Sequence, residues 1–156
     1  MPTAWRITKA KHASNPFDGE GARQYGSRWS SPGTLMAFAS ESLSLATLEV
    51  VVHLQHSPLL ASYVLFTAEF SKDLVQDLDP SSLPKNWRIF PAPPQTREIG
   101  DDWIKSASGL LLRVPSAIVV HEHNFLINPV HPDFRKLIIR GPLPLDIDSR
   151  VFESRK

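Results

Sequence analysis

The sequence predicts a mixed α+β domain in which strands outnumber helices. Short segments rich in β-branched and aromatic residues recur along the chain, whereas only two stretches have the length and apolar pattern of a helix. The 14 prolines against 7 glycines favour long, rigid connections over a regular alternation of helices and strands. With 156 residues, 42% of them hydrophobic, the chain is expected to form a single domain, 1–156, with a substantial core.

The first third of the chain is expected to contain two strands joined by a long loop. Ala4–Thr8 alternates in polarity and predicts a strand that carries Arg6. His12–Thr34 has little periodicity, and a loop of that length in a compact domain is usually functional or disordered. Leu35–Ala39 is apolar and predicts a buried strand.

The middle of the chain combines a helix, a strand and a crossing segment. Ser40 or Ser42 can cap a helix that runs through Leu43–Gln55, although its valines weaken the helical propensity. Tyr63–Phe70 is rich in β-branched and aromatic residues and predicts a strand. The proline-rich segment Asp79–Pro94 predicts an irregular connection.

The last third begins with an amphipathic helix at Gln95–Ser106, which is expected to turn Ile99, Trp103 and Ile104 inward. Further apolar segments follow this helix and are the remaining strand candidates. They are Leu110–Val114, Ala117–His121, Phe125–Ile127 and Lys136–Ile139.

Composition excludes several classes of function. The formal net charge of +1 is too small to give the positive surface potential that attracts nucleic acids. We therefore expect no direct nucleic-acid partner. The chain has no cysteine, which excludes disulfides, a thiolate nucleophile and the usual zinc clusters, and which suits the reducing cytosol. Neither a signal peptide nor a membrane-spanning run is evident in the sequence, so the expected location is cytoplasmic, away from membranes.

Glu49 is the most informative single position. Its neighbours one helical turn away are Leu45, Ala46, Val52 and His53, so Glu49 interrupts an apolar helical face. A carboxylate there is costly to bury unless another group pairs with it or uses it. Two interpretations stay open: a functional carboxylate, or an edge position that pairs with His53.

Two arginines are candidates for binding an anion. Arg6 interrupts an apolar strand, and alternation alone favours a solvent-facing position for it. Arg28 lies in G-S-R-W-S-S-P-G, where glycines allow a ligand to approach the backbone closely. Arginine binds phosphate through two parallel hydrogen bonds and does not titrate away. Arg28 and Trp29 therefore offer a cation and a flat face; the alternative is a surface loop with a tryptophan packed beneath it.

Ser116 follows Pro115 at the head of an expected strand. It has neither a neighbouring base in the sequence nor the nucleophile-elbow pattern, so acyl transfer is poorly supported. A hydrogen-bonding role is favoured for Ser116.

The segment H-E-H-N-F-L-I-N-P-V-H-P-D-F contains several metal-ligand residue types close together. His121 and His123 would share one face of a strand, which is compatible with two ligands. The spacing is not the helical H-E-x-x-H, and no clear third ligand follows, so we expect no metal. N-P-V-H-P is more simply a rigid turn in which Asn128 and His131 bond to the backbone.

These motifs together resemble the RES domain family. The resemblance rests on W-R-I-T, on G-E-G-A-R-Q-Y-G-S-R-W-S-S-P-G, on F-A-S-E-S-L-S-L-A-T-L-E-V-V-V-H-L, on V-P-S-A-I-V-V and on N-F-L-I-N-P-V-H-P-D-F. It extends from Trp5 to about Phe152, and the order and spacing of the separate motifs make it specific.

The resemblance implies a fold related to the ADP-ribosyltransferases and a toxin of a bacterial toxin–antitoxin pair. The implied activity cleaves the nicotinamide–ribose bond of NAD, as a glycohydrolase, phosphorylase or ADP-ribosyltransferase, and thereby arrests growth. NAD is then a substrate, and no cofactor is implied. The implied partner is an Xre-type antitoxin with a helix-turn-helix part, and the toxin could form a homo-oligomer within that complex.

By position, the resemblance assigns catalytic roles to Arg6, Arg28, Glu49 and Ser116. Tyr25 and Trp29 offer flat faces for nicotinamide or adenine, although either could be plain packing. Phe38 and Asn128 complete the expected substrate contacts.

The sequence departs from the family pattern at three positions. Ser27 and Ser30 stand where glycine and asparagine are usual, and Phe38 stands where tyrosine is common. The change at Phe38 removes a hydroxyl and any donor role that it had. These departures leave an alternative open: a catalytically weakened module of the same fold that binds a nucleotide or a protein.

Overall fold

A computed structural model describes residues 1–53 and 62–153. These residues form seven strands and three α-helices, joined by loops and short 3₁₀ turns. The strands are β1 (Thr3–Lys9), β2 (Ala37–Ser40), β3 (Tyr63–Glu69), β4 (Val75–Asp77), β5 (Leu111–Pro115), β6 (His123–Ile127) and β7 (Ile138–Pro144), and the helices are α1 (Glu20–Tyr25), α2 (Leu43–His53) and α3 (Pro94–Ser106). The predicted α+β class, with more strands than helices, is confirmed.

The strands form one sheet in the order β4-β5-β6-β2-β1-β3-β7. Only β4 and β5 are parallel to each other, and the other neighbours are antiparallel. The ladder between β1 and β2 consists of one residue pair, Trp5 with Ser40, whereas β1 pairs with β3 along its whole length. The sheet therefore has a weak seam at its centre, between β1 and β2.

Both long helices cover the same face of the sheet, which we call the helix face. Strand register places Trp5, Ser40, Asn124 and Val114 side by side on it, because directly paired residues point to the same side. Helix α2 packs there on β1 and β3 through a cluster of Ala46, Ile7 and Leu65. Helix α3 packs on β5 and β6 through a cluster that includes Trp103, Leu112, Val114 and Leu126.

The opposite face, which we call the loop face, holds the largest apolar cluster. Phe66 of β3 and Phe125 of β6 point to this side and are covered by connecting segments instead of long helices. Phe17 meets Phe66 edge to face with ring centroids 6.5 Å apart, and Phe70 meets Phe125 in the same way at 5.3 Å. None of the helices in the described residues is long and apolar enough to cross a membrane.

The most strongly patterned predicted elements are present in the structure. Strands β1 and β3 and helix α3 lie where periodicity and composition place them, within about two residues at each end. Ser42, not Ser40, caps α2, since its Oγ accepts a hydrogen bond from Leu45 N at 3.0 Å. The last predicted residues of this helix, 54 and 55, lie outside the described residues.

Two predicted segments differ in detail. The loop His12–Thr34 contains α1, which begins where Asp18 accepts a hydrogen bond from Glu20 N at 3.1 Å. The strand predicted at Lys136–Ile139 starts only at Ile138, because Lys136 ends a 3₁₀ turn, and it continues to Pro144. Strand β4 was not predicted, because its three residues are too few to show a periodic pattern.

The prediction that Ala117–His121 is a strand headed by Ser116 is wrong. These residues form the connection between β5 and β6, closed by hydrogen bonds from Ser116 N to Glu122 O (2.9 Å) and from Glu122 N to Val119 O (3.0 Å). The valines and isoleucine favour a strand, but the first amides of this segment turn back onto the Ser116 side chain instead of joining a ladder.

Helix α3 holds the loop that precedes β2. Gly100 faces the loop so closely that an added Cβ would lie 1.6 Å from the carbonyl oxygen of Trp29. One turn earlier, Thr96 Oγ1 lies 2.6 Å from the carbonyl oxygen of Arg28. The helix and the loop backbone are therefore in direct contact over these two positions.

We expect Gly100→Ala to lower the free energy of unfolding by about 3 kcal/mol or more, because backbone must move to admit the methyl group. Urea denaturation measures the change. Gly21→Ala is the matched control, since nothing lies within 4 Å of a Cβ added there. Equal urea midpoints for the two variants would show that the loop does not depend on this contact.

Candidate active site

A carboxylate at the centre of the helix face organises the candidate site. Glu49 of α2 accepts hydrogen bonds at Oε1 from Asn124 Nδ2 (2.7 Å) and from Ser116 Oγ (3.0 Å). Ser40 Oγ in turn lies 2.7 Å from Asn124 Oδ1 and orients the amide. Of the two interpretations of Glu49, the pairing with His53 is not the one found: its partners come from β6 and from the end of β5.

Ser116 acts as a donor in this cluster. Its Oγ accepts hydrogen bonds from the amides of Ile118 and Val119, both at 3.1 Å. These two bonds occupy the acceptor capacity of the hydroxyl, so its hydrogen points to Glu49. Ser116 is also buried at 0% exposure. The hydrogen-bonding role favoured from the sequence fits this geometry, whereas a nucleophilic role does not.

Arg28 lies within electrostatic range of this carboxylate. Its Nη1 donates to the carbonyl oxygens of Trp87 (2.6 Å) and Ile89 (2.9 Å). Burial lowers the pKa of Arg28, the negative charge of Glu49 raises it, and the positive charge of Arg88 lowers it again. A cation held by backbone carbonyls and a carboxylate held by neutral donors therefore lie close enough for their charges to interact.

Trp29 belongs to the core. It is 5% exposed and packs beside Trp87, with ring centroids 6.3 Å apart, in the cluster under α3. Its expected role as a flat face for a substrate ring is wrong, because the ring is covered by protein. The alternative from the sequence, a tryptophan packed beneath the loop, is the one found. Its burial anchors the neighbouring Arg28.

The two serines that depart from the family pattern contact each other. Ser27 and Ser30 Oγ atoms are 2.6 Å apart, and Ser27 N donates to Ser30 O at 2.8 Å. Ser27 Oγ also accepts from Trp29 N at 3.2 Å. The pair closes a tight turn around Arg28 and Trp29, so the altered residues stabilise the loop that carries the arginine.

Asp101 of α3 fastens the other end of this loop. Its Oδ1 accepts from Ser31 N (2.9 Å) and from Thr34 Oγ1 (3.0 Å). Burial raises the pKa of Asp101, but the hydrogen bonds from Ser31 and Thr34, with the charge of Lys105, outweigh it and leave the pKa below its ordinary value.

Arg6 lies on the loop face, away from Glu49. Its Nε donates to Pro16 O, its Nη1 donates to Phe38 O at 2.9 Å, and its guanidinium lies 5.7 Å from the centre of the Phe17 ring. Burial lowers its pKa to about 10, although Asp18 raises it. The solvent-facing position favoured by alternation is wrong. Arg6 bridges the weak seam between β1 and β2, and the contacts that it makes include neither Glu49 nor Ser116.

The other expected substrate contacts are distributed differently. Tyr25 is 84% exposed at the end of α1 and is free to contact a ligand. Phe38 is half-buried on the helix face beside the α3 cluster. Asn128 is 2% exposed, and its Oδ1 accepts from Val130 N at 3.1 Å. Substrate contact through the Asn128 side chain is therefore contradicted, and the rigid-turn interpretation of N-P-V-H-P is confirmed.

The histidine-rich segment has structural contacts. His121 lies in the β5–β6 connection and His123 begins β6, so the two do not share a strand face as predicted. Glu122 accepts from Ser42 Oγ at 2.7 Å, and His131 Nδ1 accepts from Asp133 N at 3.0 Å. Within residues 1–53 and 62–153, no group of three ligand side chains could hold a metal ion.

A groove of about 650 Å³ lies beside the ends of β4 and β5. Trp87, Arg113, Pro115 and His123 contribute to its lining. Arg28, Glu49 and Ser116 do not line it, so this groove is separate from the Glu49 cluster.

Asn124, Ser40 and Arg88 lie in or near this cluster and were not predicted as site residues. Asn124 and Ser40 lie in short apolar strands. A polar residue in such a strand is expected to face solvent when the sequence shows no partner for it. The available signal was their placement on the inward face once the strands are aligned. Arg88 lies in a segment without periodicity and gave no signal at all.

The fold and these contacts define a small α+β domain with a carboxylate and a nearby arginine on one side of a mixed sheet. The same fold occurs in the MbcT–MbcA toxin–antitoxin complex of M. tuberculosis, where one chain superposes with a TM-score of 0.75 at 20% identity over 92% of this chain and 83% of that one. The model of the RES domain matches residues 3–148, and this chain belongs to the RES domain family.

Relatives cover nearly the whole chain. "Toxin Res" of Yersinia enterocolitica is 38% identical over 94% of this chain and 97% of its own length. "Toxin Res" of Photorhabdus laumondii is 36% identical over 97% and 98%. The "Prs ADP-ribosylating toxin" of Sphingobium sp. is 36% identical over 87% and 88%.

We expect Asp101→Asn to lower the free energy of unfolding at neutral pH by at most about 1 kcal/mol, because water screens the partly exposed carboxylate. A carboxylate with a lowered pKa stabilises the fold above its unfolded-state pKa. The difference from wild type should therefore disappear as the pH falls from about 4 through the folded-state pKa of Asp101. Urea titrations from pH 7 to pH 2.5, with exposed Asp102→Asn as control, measure it. A difference that persists unchanged at the lowest pH would contradict the assignment.

Proposed function

We propose that this chain is the toxin of a bacterial toxin–antitoxin pair and that it cleaves the nicotinamide–ribose bond of NAD. Family membership and relatives named as toxins, one of them ADP-ribosylating, support the toxin role. The main support for this reaction is the position of Glu49. Ser116 and Asn124 hold its carboxylate by hydrogen bonds, and its charge is close enough to affect Arg28.

Departure of nicotinamide leaves positive charge on the ribose, in an oxocarbenium-like transition state. A fixed carboxylate stabilises that charge more than it stabilises the neutral ribose of the ground state, which is the requirement for catalysis. Two neutral donors hold Oε1 of Glu49 without cancelling its charge. Its Oε2 makes no hydrogen bond in the described part of the chain, so this oxygen can face the ribose.

The acceptor of ADP-ribose distinguishes three related activities. Transfer to water makes the enzyme a glycohydrolase, transfer to phosphate a phosphorylase, and transfer to a protein an ADP-ribosyltransferase. The Sphingobium relative is named an ADP-ribosylating toxin, which supports the third activity. Products formed from NAD with water, phosphate and cell extract offered in turn distinguish the three.

A second candidate function is a nucleotide-binding module with weakened turnover. Phe38 favours it, because the side chain flanks Ser40 and Asn124 on the helix face and brings no hydroxyl to the cleft. Nicotinamide release by the purified wild-type chain at several turnovers per minute would exclude this alternative, whereas NAD binding with release no faster than that of Glu49→Gln would favour it.

We expect Glu49→Gln to reduce nicotinamide release from NAD by about a hundredfold or more, because the amide removes the charge that the developing cation needs. Chromatographic quantification of free nicotinamide measures the rate. Glu98→Gln is the matched control, since this glutamate is exposed on α3 and far from the cluster in sequence and contacts. Near wild-type turnover in Glu49→Gln would make this carboxylate structural.

The proposed partner is an Xre-type antitoxin with a helix-turn-helix part, and the proposed location of the complex is the cytoplasm. The structural neighbour is itself part of a toxin–antitoxin complex. We propose that the antitoxin occludes the cleft beside the loop of Arg28, since a covered loop excludes NAD without unfolding the toxin. The near-neutral charge of the chain leaves DNA contact to the partner.

Expression of the chain alone should arrest growth and lower cellular NAD, and co-expression of the antitoxin should restore both. Growth curves and enzymatic NAD assays measure the two effects, with Glu49→Gln as the inactive control. If the purified complex bound NAD as tightly as the free chain, the occlusion mechanism would be excluded.

A further inference from the structure

Arg88 lies in the exposed segment whose backbone holds Arg28. The carbonyl oxygens that hold Arg28 belong to Trp87 and Ile89, the residues on either side of Arg88. The Arg88 side chain reaches the connection between β5 and β6, where its Nε donates to Ala117 O at 3.0 Å. Ala117 directly follows Ser116, the donor to Glu49.

Both guanidinium groups keep donors available. A guanidinium has five N–H donors, and Arg28 uses only those of Nη1 while Arg88 uses only that of Nε. Within residues 1–53 and 62–153, neither arginine forms an ion pair with a carboxylate. Each is anchored by backbone carbonyl oxygens, which fix its position and do not neutralise its charge.

The two positive charges are close enough to affect each other. Burial is the main cause that lowers the pKa of Arg28, and the charge of Arg88 lowers it further. The nearby negative charge is that of Glu49, which is already engaged by Ser116 and Asn124. Two fixed cations beside one carboxylate leave an excess of positive charge, which an anion of two charges would neutralise.

We propose that Arg28 and Arg88 together bind a diphosphate group, and that Arg88 is a second anion-binding residue of this site. The proposal rests on the proposed function in that the diphosphate is the pyrophosphate of a dinucleotide such as NAD. Planar guanidinium groups bind phosphate oxygens through paired hydrogen bonds, so two of them match two linked phosphates. Their anchors at Trp87, Ile89 and Ala117 place the diphosphate next to the Glu49 cluster, as cleavage at the adjoining ribose requires.

Calorimetric titration with inorganic pyrophosphate and with ADP-ribose tests the proposal without turnover. Arg88→Gln removes the charge but keeps an N–H that can donate to Ala117 O. The variant therefore distinguishes a residue that binds an anion from one that only holds the two segments together. We expect this variant to weaken binding of both ligands by about tenfold or more. Arg88→Lys should have an intermediate affinity, because lysine keeps the charge but cannot form the two parallel hydrogen bonds of a guanidinium group. Lys85→Gln, which removes the same charge from the same exposed segment, should bind within about twofold of wild type.

The outcomes separate this proposal from the proposed function. Equal affinity of Arg88→Gln and wild type, or no binding of either ligand by wild type, overturns the anion role of Arg88. Equal weakening by Lys85→Gln also overturns it, since the effect would then be one of general charge. If pyrophosphate binding depends on Arg88 but the wild-type chain releases no nicotinamide from NAD, the anion site stands and the proposed reaction fails.

Discussion

The contact between helix α3 and the backbone of the preceding loop is the constraint on which the site depends. Gly100 lets the carbonyl of Trp29 approach the helix more closely than any side chain would permit. Thr96 and Asp101 of α3 hold this loop at two further places, through Arg28 O and Ser31 N. Trp29 is buried, so the loop backbone has little freedom to move. Arg28 is therefore held in a fixed position near Glu49.

The candidate site combines a negative and a positive charge, and a different kind of group holds each of them in place. Neutral donors hold Glu49, so its charge stays available, while backbone carbonyls hold Arg28 without forming an ion pair. A direct salt bridge between Arg28 and Glu49 would satisfy both groups and leave little for a substrate. Arg6, by contrast, donates hydrogen bonds to Pro16 O and to Phe38 O of β2, and so links β1 to β2 across the weak seam. These bonds explain why an arginine is tolerated inside an apolar strand.

Much of the fold could be predicted from the sequence, and the exceptions have physical causes. Tyr63–Glu69 and Pro94–Ser106 carry strong local patterns and were placed correctly. Ala117–His121 carries a strand pattern but turns, because Ser116 captures the amides that a ladder would need. Within the site, motif spacing indicated Arg28, Glu49 and Ser116, whereas Trp29 was misassigned, since composition does not tell a buried ring from one that faces a ligand.

The sequence by itself determined the α+β class, the main helices and strands, and the residues whose motifs define the RES domain family. Only the tertiary structure decided which of these residues meet. Ser116 and Asn124 are 67 and 75 positions from Glu49, and the alignment of β5 with β6 together with the packing of α2 on the sheet brings them to one carboxylate oxygen. Local periodicity reports which side of an element is buried, but a hydrogen bond between distant elements depends on their alignment, and that is a property of the assembled sheet.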